Sequence, residues 1–247
     1  MPDQAPRVSI VIPARNEAAR LPASIREIRR VFPNEKWEFL IVIEPGADDS
    51  GDVAREAAGE DGRFRILINP SARGKGHAVK TGMLLARGDM IFFMDADLSV
   101  PLRFVHEFLL EAGRADVLMG SRRHPDSVIA VRQPLARELA GRLFNRGLRL
   151  AGITRFADTQ CGFKAFTRAA ARGIFSRIGQ SGFGFDVEVV VLAEALGFRV
   201  LEMPVEWADA PGSKLRPLRD GVRAFIDAAL AARRIRREYP QKCQASE

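Results

Sequence analysis

The chain has 247 residues and a formal net charge of +7, and its hydrophobic and charged fractions of 47% and 28% exclude an intrinsically disordered protein. No apolar run is long enough to span a membrane and the only two cysteines lie far apart, so we expect a reduced, cytoplasmic protein without a disulfide or a zinc site. The positive charge permits phosphorylated substrates or an anionic membrane surface, whereas the lack of a nucleic-acid-binding motif argues against nucleic acid as a partner.

The first part of the chain alternates between predicted strands and predicted helices. Strands are predicted at 7–13, 39–43, 64–68 and 90–94, with helices at 21–31, 53–58 and 78–86 between them. This alternation predicts an α/β fold with a doubly wound, mostly parallel central sheet that is flanked by helices.

Two acidic residues follow the most apolar of these strands. Residues 90–94 form a continuous apolar run, which is typical of a strand buried on both faces, and Asp95 and Asp97 come directly after it. Ligands of open α/β sheets bind at the carboxyl ends of the strands, where two carboxylates are able to share a divalent cation. The alternative is that these residues cap a following helix. We favour the metal site, because a cap needs only one carboxylate.

The second half of the chain is less regular. A helix is predicted at 104–112, a short strand at 116–119, a basic loop at 120–124, a helix at 135–150, a loop and strand at 158–166, a helix at 187–196 and a strand at 199–207 that Pro204 interrupts. Asp186 and Glu188 lie at the start of the helix at 187–196, where capping and chemistry are about equally good explanations.

Two predicted helices carry arginines beside an apolar stripe. In the helix at 135–150, Leu139, Leu143, Phe144 and Leu148 lie on one side, and the arginines are expected to face solvent. The final helix has an apolar stripe with arginines on its other side; the stripe comprises Leu218, Val222, Ile226, Ala229 and Leu230. This helix either lies on an anionic membrane or packs on its own domain, which is the commoner arrangement.

Several motifs, in this order along the chain, resemble those of the dolichyl-phosphate glucosyltransferases, which are family 2 glycosyltransferases with the GT-A fold. They are Val11-Ile-Pro-Ala-Arg-Asn-Glu17, Gly74-Lys-Gly-His-Ala-Val79, Asp95-Ala-Asp97, Gly120-Ser-Arg122, Asp158-Thr-Gln-Cys-Gly-Phe-Lys164, Phe185-Asp-Val-Glu188 and Glu202-Met-Pro-Val-Glu-Trp207. The resemblance covers about residues 7–216. It implies a GT-A domain at 1–216, followed by a basic amphipathic helix and tail at 217–247.

The resemblance also implies a donor site. The donor is expected to be UDP-glucose, with Mg²⁺ or Mn²⁺ held by Asp95 and Asp97 against the diphosphate. The other donor-binding residues implied by the family are Pro13, Ala14, Arg15, Glu17, Glu44, Lys75 and Lys214. The chain departs from the family at Glu44 and Pro45, where an Asp-Asp pair is usual and the first Asp reads the base and ribose.

On the acceptor side, the resemblance implies an inverting transfer to a polyprenyl phosphate at the cytosolic face of a membrane, with the chain in peripheral contact. Arg122, Arg132 and Arg137 are expected to hold the lipid phosphate, since guanidinium groups form bidentate bonds with phosphate. Ser213 and Lys214 resemble a loop that closes over the phosphates. A phosphate acceptor needs no general base.

Other functions remain open from the sequence. A lipid or small-molecule hydroxyl acceptor would need a general base, for which Asp186 is the first candidate and Asp97 the second. A sugar nucleotidyltransferase would also use acidic metal ligands on an α/β sheet, and a basic scaffold protein would need no metal. The sequence leaves the oligomeric state undetermined.

Overall fold

The computed structural model describes residues 7–182, 184–210 and 217–240, with the side chains of all of these except 217–220. The strands of this part of the chain are β1 (Val8–Ala14), β2 (Glu38–Ile43), β3 (Phe64–Ile68), β4 (Met90–Met94), β5 (Val117–Ser121), β6 (Val128–Val131), β7 (Phe163–Thr167), β8 (Val200–Pro204) and β9 (Glu206–Ala208). The helices are α1 (Leu21–Val31), α2 (Ser50–Ala58), α3 (Lys75–Leu85), α4 (Phe104–Leu110), α5 (Leu135–Leu150), α6 (Arg168–Phe175), α7 (Phe185–Ala195) and α8 (Pro217–Glu238).

The central sheet has seven strands in the order β3-β2-β1-β4-β7-β5-β8. Each neighbouring pair is parallel except that β7 runs antiparallel to both β4 and β5. A separate two-stranded sheet pairs β6 with β9. The predicted doubly wound, mostly parallel sheet is therefore confirmed.

Helices cover both faces of the central sheet. Successive side chains of a strand point to opposite faces, so Ile10 and Ile12 of β1 join one buried cluster with residues of α1, α2 and α4. Val11, between them, joins a second cluster with residues of α3, α6, α7 and α8. The two clusters explain why β1, β2 and β4, which are buried on both faces, are largely apolar along their whole length.

Several element boundaries differ from the predicted ones. Helix α3 begins at Lys75 rather than at residue 78, directly after Gly74, whose φ of 113° suits glycine. The strand predicted at 199–207 is divided between two sheets, because β8 ends at Pro204, which has no N–H to donate, and β9 pairs with β6 instead. Strand β6 and helix α6 are absent from the sequence-based prediction.

Helix α8 packs on the domain, which is the commoner of the two arrangements that the sequence left open, but the apolar stripes predicted for α5 and α8 are only partly buried. In α5, Leu139 and Leu143 are exposed, whereas Leu148 is buried. In α8, the predicted stripe is exposed at Val222, Ile226 and Leu230, and the helix packs on the domain through four alanines and one isoleucine. These buried residues are Ala224, Ala228, Ala231, Ala232 and Ile235. No helix of the described residues is both long and apolar enough to cross a bilayer.

Candidate functional site

A cavity of about 230 Å³ lies beyond the carboxyl end of β4. One wall is formed by α5 and α8, through Ala140, Gly141 and Phe144 on one helix and Gly221 and Ala224 on the other. The charged side chains that line the cavity are Lys75, Asp95, Asp97, Arg122, Arg137, Asp186 and Asp209. The cavity thus brings acidic and basic groups from both halves of the chain together.

Asp95 and Lys75 form an ion pair in this cavity. The Nζ atom of Lys75 lies 2.6 Å from Oδ1 of Asp95. Burial alone would lower the pKa of Lys75, but the carboxylates of Asp95, Asp186 and Asp97 raise it above its ordinary value. Lys75 therefore stays positively charged beside the two carboxylates that follow β4.

The two carboxylates after β4 fit a divalent cation that also binds phosphate. Within the described residues, no group of three or more histidine, cysteine, aspartate or glutamate side chains converges as a metal site. Mg²⁺ commonly takes only one or two protein carboxylates and completes its shell with water and substrate phosphates. Asp95 and Asp97 both line the cavity and match that requirement. A cation bound there would neutralise charge on a diphosphate.

The position of Asp97 is fixed by Ser99. The backbone N–H of Ser99 donates to Oδ1 of Asp97 at 3.0 Å, and its hydroxyl donates to the same oxygen at 2.8 Å. This arrangement is that of a local turn in which a carboxylate accepts from the residue two positions later. It orients the Asp97 side chain without using its second oxygen.

Gly162 lets the Asp95 carboxylate occupy its place. The N–H of Asp95 donates to the carbonyl oxygen of Gly162 at 3.2 Å, and a Cβ atom on Gly162 would lie 2.1 Å from Oδ2 of Asp95. No real Cβ atom approaches an oxygen so closely. The sequence shows this glycine only as part of the motif at 158–164 and gives no sign of its contact with residue 95.

We expect Gly162→Ala to lower activity by about 100-fold, since displacing a reacting group by about 1 Å has effects of that size. Steady-state rates of sugar transfer, with the unfolding midpoint as a check on folding, measure the change. Gly113→Ala is the matched control, because a Cβ atom there meets nothing within 4 Å. Equal rates for Gly162→Ala and the wild type would contradict the role assigned to the close contact.

Asp186 also lines the cavity, and a buried lysine holds it. Lys164 has no exposed surface, and its Nζ atom donates to Oδ1 of Asp186 and to the carbonyl oxygen of Cys161, each at 2.7 Å. The same Nζ atom lies 5.0 Å from the ring centroid of Phe93. One oxygen of Asp186 is therefore committed to Lys164, and a role as general base would have to use the other.

Glu188, the second acid at the start of α7, lies away from the cavity. Its carboxylate accepts hydrogen bonds from the backbone N–H groups of Gly179 and Gln180 and from Arg234 of α8. Glu188 therefore joins a loop and α8 to α7, which is a structural role, while Asp186 faces the cavity.

Arg122 reaches the cavity but is tied to a buried carboxylate. Its Nε atom donates to Oδ2 of Asp158 at 2.7 Å and its Nη2 atom donates to Oδ1 at 2.8 Å. Asp158 has no exposed surface. Burial would raise the pKa of this carboxyl, but the Arg122 guanidinium lowers it to about 2. The guanidinium fork that was expected to hold the acceptor phosphate is thus paired with Asp158, and acceptor binding by Arg122 stays a prediction.

The other predicted acceptor residues are placed differently from one another. Arg137 lines the cavity, with its Nη1 atom 3.7 Å from Oδ1 of Asp209. Arg132 is exposed and is not part of the cavity lining, whereas its neighbour Gln133 is. Ser213 and Lys214 lie outside the described residues. The structure therefore brings Arg122 and Arg137, but not Arg132, to the cavity.

The predicted donor residues at the ends of β1 and β2 lie side by side. The N–H of Glu44 donates to the carbonyl oxygen of Ala14 at 2.9 Å, and Pro13 pairs with Val42 in the sheet. Because β1, β2 and β4 are parallel, their carboxyl ends meet at the same edge as Asp95. Arg15 is exposed, and Glu17 accepts a 2.7 Å hydrogen bond from Arg20. None of these residues lines the cavity itself.

The Glu44 carboxylate is occupied by the segment that carries Lys75. It accepts from Nδ1 of His77 at 2.8 Å, from Asn69 at 2.7 Å, and from the backbone N–H groups of Arg73 and Gly74 at 2.5 and 3.1 Å. Burial would raise the pKa of Glu44, but these hydrogen bonds hold it below its ordinary value. In this geometry Glu44 anchors residues 69–77, a role that sequence reasoning missed.

We expect Glu44→Gln to lower the unfolding free energy by about 1–3 kcal/mol and turnover by about tenfold, because an amide cannot accept all four hydrogen bonds. Urea unfolding and steady-state kinetics measure these effects. Glu60→Gln, at an exposed position, serves as the control. A change in preference among donors with different bases, without loss of stability, would instead show that Glu44 reads the base.

Comparisons with known proteins identify the family of this chain. Residues 9–175 match the family model described as "Glycosyl transferase family 2". The chain belongs to glycosyl transferase family 2. The family that the motifs predicted is therefore confirmed. Asp95 and Asp97, the carboxylates after β4, lie within the part of the chain that matches.

Curated relatives of this family 2 chain carry related names. The chain is 31% identical to "Dolichyl-phosphate beta-glucosyltransferase ALG5C" of Trichomonas vaginalis, in an alignment that covers 84% of this chain and 66% of that protein. It is 33% identical to "Dolichyl-phosphate beta-glucosyltransferase" of Drosophila melanogaster, over 85% of this chain and 69% of that protein. It is 34% identical to "Glycosyltransferase AglD" of Haloferax volcanii, of which it spans 35%. The chain thus spans about two thirds or less of these proteins.

Solved structures share the fold. Glucosyl-3-phosphoglycerate synthase of Mycobacterium tuberculosis, in complex with Mn²⁺, UDP and glucosyl-3-phosphoglycerate, superposes with a TM-score of 0.69 at 18% identity, over 92% of this chain and 80% of that one. The same enzyme was also crystallised with Mg²⁺ and UDP. The predicted GT-A fold is confirmed, and divalent metal ions accompany UDP in these neighbours.

Proposed function

We propose that this chain transfers glucose, with inversion, from UDP-glucose to a polyprenyl phosphate at the cytosolic face of a membrane. The observation that carries the proposal is that Asp95, Asp97 and Lys75 share one cavity with Arg137. This combination of charges supports the binding of a metal-bound diphosphate by the carboxylates and of an anionic acceptor by Arg137. The names of the dolichyl-phosphate relatives support glucose as the sugar and a polyprenyl phosphate as the acceptor.

The donor side of the reaction follows from the groups after β4. Asp95 and Asp97 are the residues that would hold Mg²⁺ or Mn²⁺, and Lys75 lies close enough to Asp95 to act on the same diphosphate. Negative charge develops on the nucleotide as the bond to the sugar breaks. Fixed positive charge at that place stabilises the transition state more than the ground state.

On the acceptor side, a phosphate oxygen would attack the anomeric carbon from the face opposite to the nucleotide. Such an acceptor is already anionic near neutral pH, so no general base is required. Arg137 is the cavity-lining arginine whose guanidinium is least committed, as it is 3.7 Å from Asp209, whereas Arg122 is bound bidentately. We therefore assign Arg137 the leading role in positioning the acceptor phosphate.

A hydroxyl acceptor is the second candidate, and the position of Asp186 in the cavity is the observation that favours it. The structural neighbour glucosyl-3-phosphoglycerate synthase was crystallised with UDP-glucose and phosphoglyceric acid. In this reaction Asp186 would accept the proton of the attacking hydroxyl, through the oxygen that Lys164 does not use.

The experiment that separates these candidates is a panel of donors and acceptors. Purified protein is incubated with Mn²⁺ or Mg²⁺, one of UDP-glucose or GDP-mannose, and one of a polyprenyl phosphate, the matching polyprenol or 3-phosphoglycerate. Mass spectrometry identifies the glycosylated product and the released nucleotide. We expect glucosyl transfer only to the polyprenyl phosphate. Transfer to the alcohol or to phosphoglycerate instead would support the second candidate and refute the first.

A further inference from the structure

The large exposed hydrophobic side chains of this protein are concentrated on three elements. Of the thirteen that occur in the described residues, ten lie on β6, α5 and α8. We call these ten the apolar face; on α5 and α8 its central members are Leu135, Leu139, Leu143, Val222, Ile226 and Leu230. A concentration of exposed apolar groups on one side of a protein marks a surface that binds another partner.

The apolar face is free because α5 and α8 pack through their opposite sides. The rings of Phe144 and Phe225 meet edge to face with their centroids 6.3 Å apart. Leu148 of α5 and Ala228 of α8 are fully buried in the cluster beneath them. Both helices are therefore anchored by their inner sides, and the leucine, valine and isoleucine side chains that belong to the apolar face are exposed.

Arginines accompany the apolar face and determine which partner suits it. Arg146 and Arg149 are exposed on α5, and Arg233 and Arg237 are exposed on α8. Helices of this kind bury their apolar side chains at the boundary between lipid headgroups and acyl chains while the arginines reach anionic headgroups. A second copy of the chain would bring like charges together, which disfavours a dimer through this face.

The catalytic cavity adjoins the apolar face. Gly141 of α5 and Gly221 of α8 line the cavity, and the leucines and isoleucine of the face lie on the outer sides of the same two helices. Trp207, which also lines the cavity, pairs in the small sheet with Ile129 of the apolar face. A surface that binds lipid at this position would hold the cavity beside the bilayer.

We propose that β6, α5 and α8 form the surface through which this protein docks on an anionic lipid membrane. The inference rests on the proposed function in one respect, since a polyprenyl phosphate resides in a membrane and must reach the cavity from there. Docking itself requires only the apolar face and its arginines.

Vesicle flotation tests the docking surface without any acceptor. The vesicles contain phosphatidylcholine alone, or phosphatidylcholine with about one third phosphatidylglycerol, and no polyprenyl phosphate. The test variant is Leu139→Ser/Leu143→Ser/Ile226→Ser. The control is Leu110→Ser, at a leucine of α4 that is 85% exposed but lies outside the face.

We expect the wild type and the Leu110→Ser control to float with the anionic vesicles, and the triple variant to partition about 100-fold less. Arg146→Gln/Arg149→Gln should weaken binding to anionic vesicles about tenfold, and the remaining binding should depend less on salt concentration. Thermal unfolding confirms that each variant is folded. A triple variant that floats like the wild type, or a wild type that does not float, would overturn the proposal.

Two further measurements separate this inference from its alternatives. Calorimetry with UDP-glucose and Mn²⁺ should give the same donor affinity for the wild type and the triple variant. If the variant binds the donor but no longer binds vesicles, the result supports the proposed docking surface. If neither protein binds the donor, the result counts against the proposed function and not against membrane docking. Analytical ultracentrifugation detects a dimer. A wild-type dimer that the triple variant converts to monomers would assign the apolar face to self-association and refute membrane docking.

Discussion

We expect Asp97→Asn to lower the rate of the proposed glucose transfer by about two to three orders of magnitude, because a group that stabilises developing charge is removed. The asparagine keeps an oxygen that can accept from the N–H and hydroxyl of Ser99, so the local turn is retained. What is lost is the negative charge that would help to hold a divalent cation against the diphosphate. Initial rates as a function of Mn²⁺ concentration measure the effect.

The control for this prediction is Asp52→Asn, at an aspartate of α2 whose side chain is 83% exposed and pairs with Arg55. We expect wild-type rates for that variant. The metal requirement should change only in the Asp97 variant, where more Mn²⁺ is needed to reach half of the remaining activity. Metal-dependent donor binding that is unchanged in Asp97→Asn would contradict the assignment of Asp97 as a metal ligand.

We expect Arg122→Met to lower the unfolding free energy by about 3–5 kcal/mol, because breaking a buried ion pair leaves an uncompensated charge. The charge that remains is that of Asp158, which has no exposed surface. In a domain of this size the loss corresponds to a melting temperature lower by about 6–20 °C. Urea and thermal unfolding measure it, and Arg122→Met/Asp158→Leu should recover part of the loss by removing the buried carboxylate.

Acid pH gives this second prediction a distinct signature. In the wild type the pKa of Asp158 is about 2, below its unfolded value, so the pair stabilises the protein above the unfolded pKa and that contribution is lost as the pH falls toward 2. In Arg122→Met the lone carboxyl gains protons more readily in the folded state, and acid relieves its burial cost. The difference in stability between the two proteins should therefore narrow on acidification.

Arg114→Met is the matched control for Arg122→Met. Arg114 is 71% exposed and forms an ion pair with Glu111, and such exposed pairs contribute no more than about 1 kcal/mol. We expect its melting temperature to stay close to that of the wild type. A loss in Arg122→Met no larger than in Arg114→Met would show that the Arg122–Asp158 pair does not stabilise the fold.

Much of the fold was predictable because the relevant signals are local. The apolar runs of β1, β2 and β4 and the periodicity of α1 are written in neighbouring residues, and the alternation of strands and helices leaves few topologies. Even the boundaries of α5, at 135 and 150, agree with the predicted ones. The antiparallel direction of β7 was not predictable in this way, because it depends on contacts with β4 and β5.

The candidate site was predictable in its position and less so in its internal contacts. Asp95 and Asp97 follow a buried strand, so their place at the edge of the sheet follows from chain order. Glu44, Asp158 and Asp186 pair with His77, Arg122 and Lys164, which are 22 to 36 positions away along the chain. No local sequence pattern indicates these pairs. As a result Glu44 and Arg122, which looked like ligand-binding groups, are engaged by other parts of the chain.

The sequence alone determined the alternating α/β architecture and placed two carboxylates at the end of its central strand, since both depend on the order and periodicity of neighbouring residues. Only the tertiary structure decided which side of α5 and α8 is buried. Each helix has two sides that could pack, and hydrophobicity favours the one rich in leucine. In α8 the small alanine side chains allow close approach to the domain and are buried with Ile235, whereas Val222, Ile226 and Leu230 remain at the surface. In α5 Leu148 is buried, whereas Leu139 and Leu143 remain at the surface.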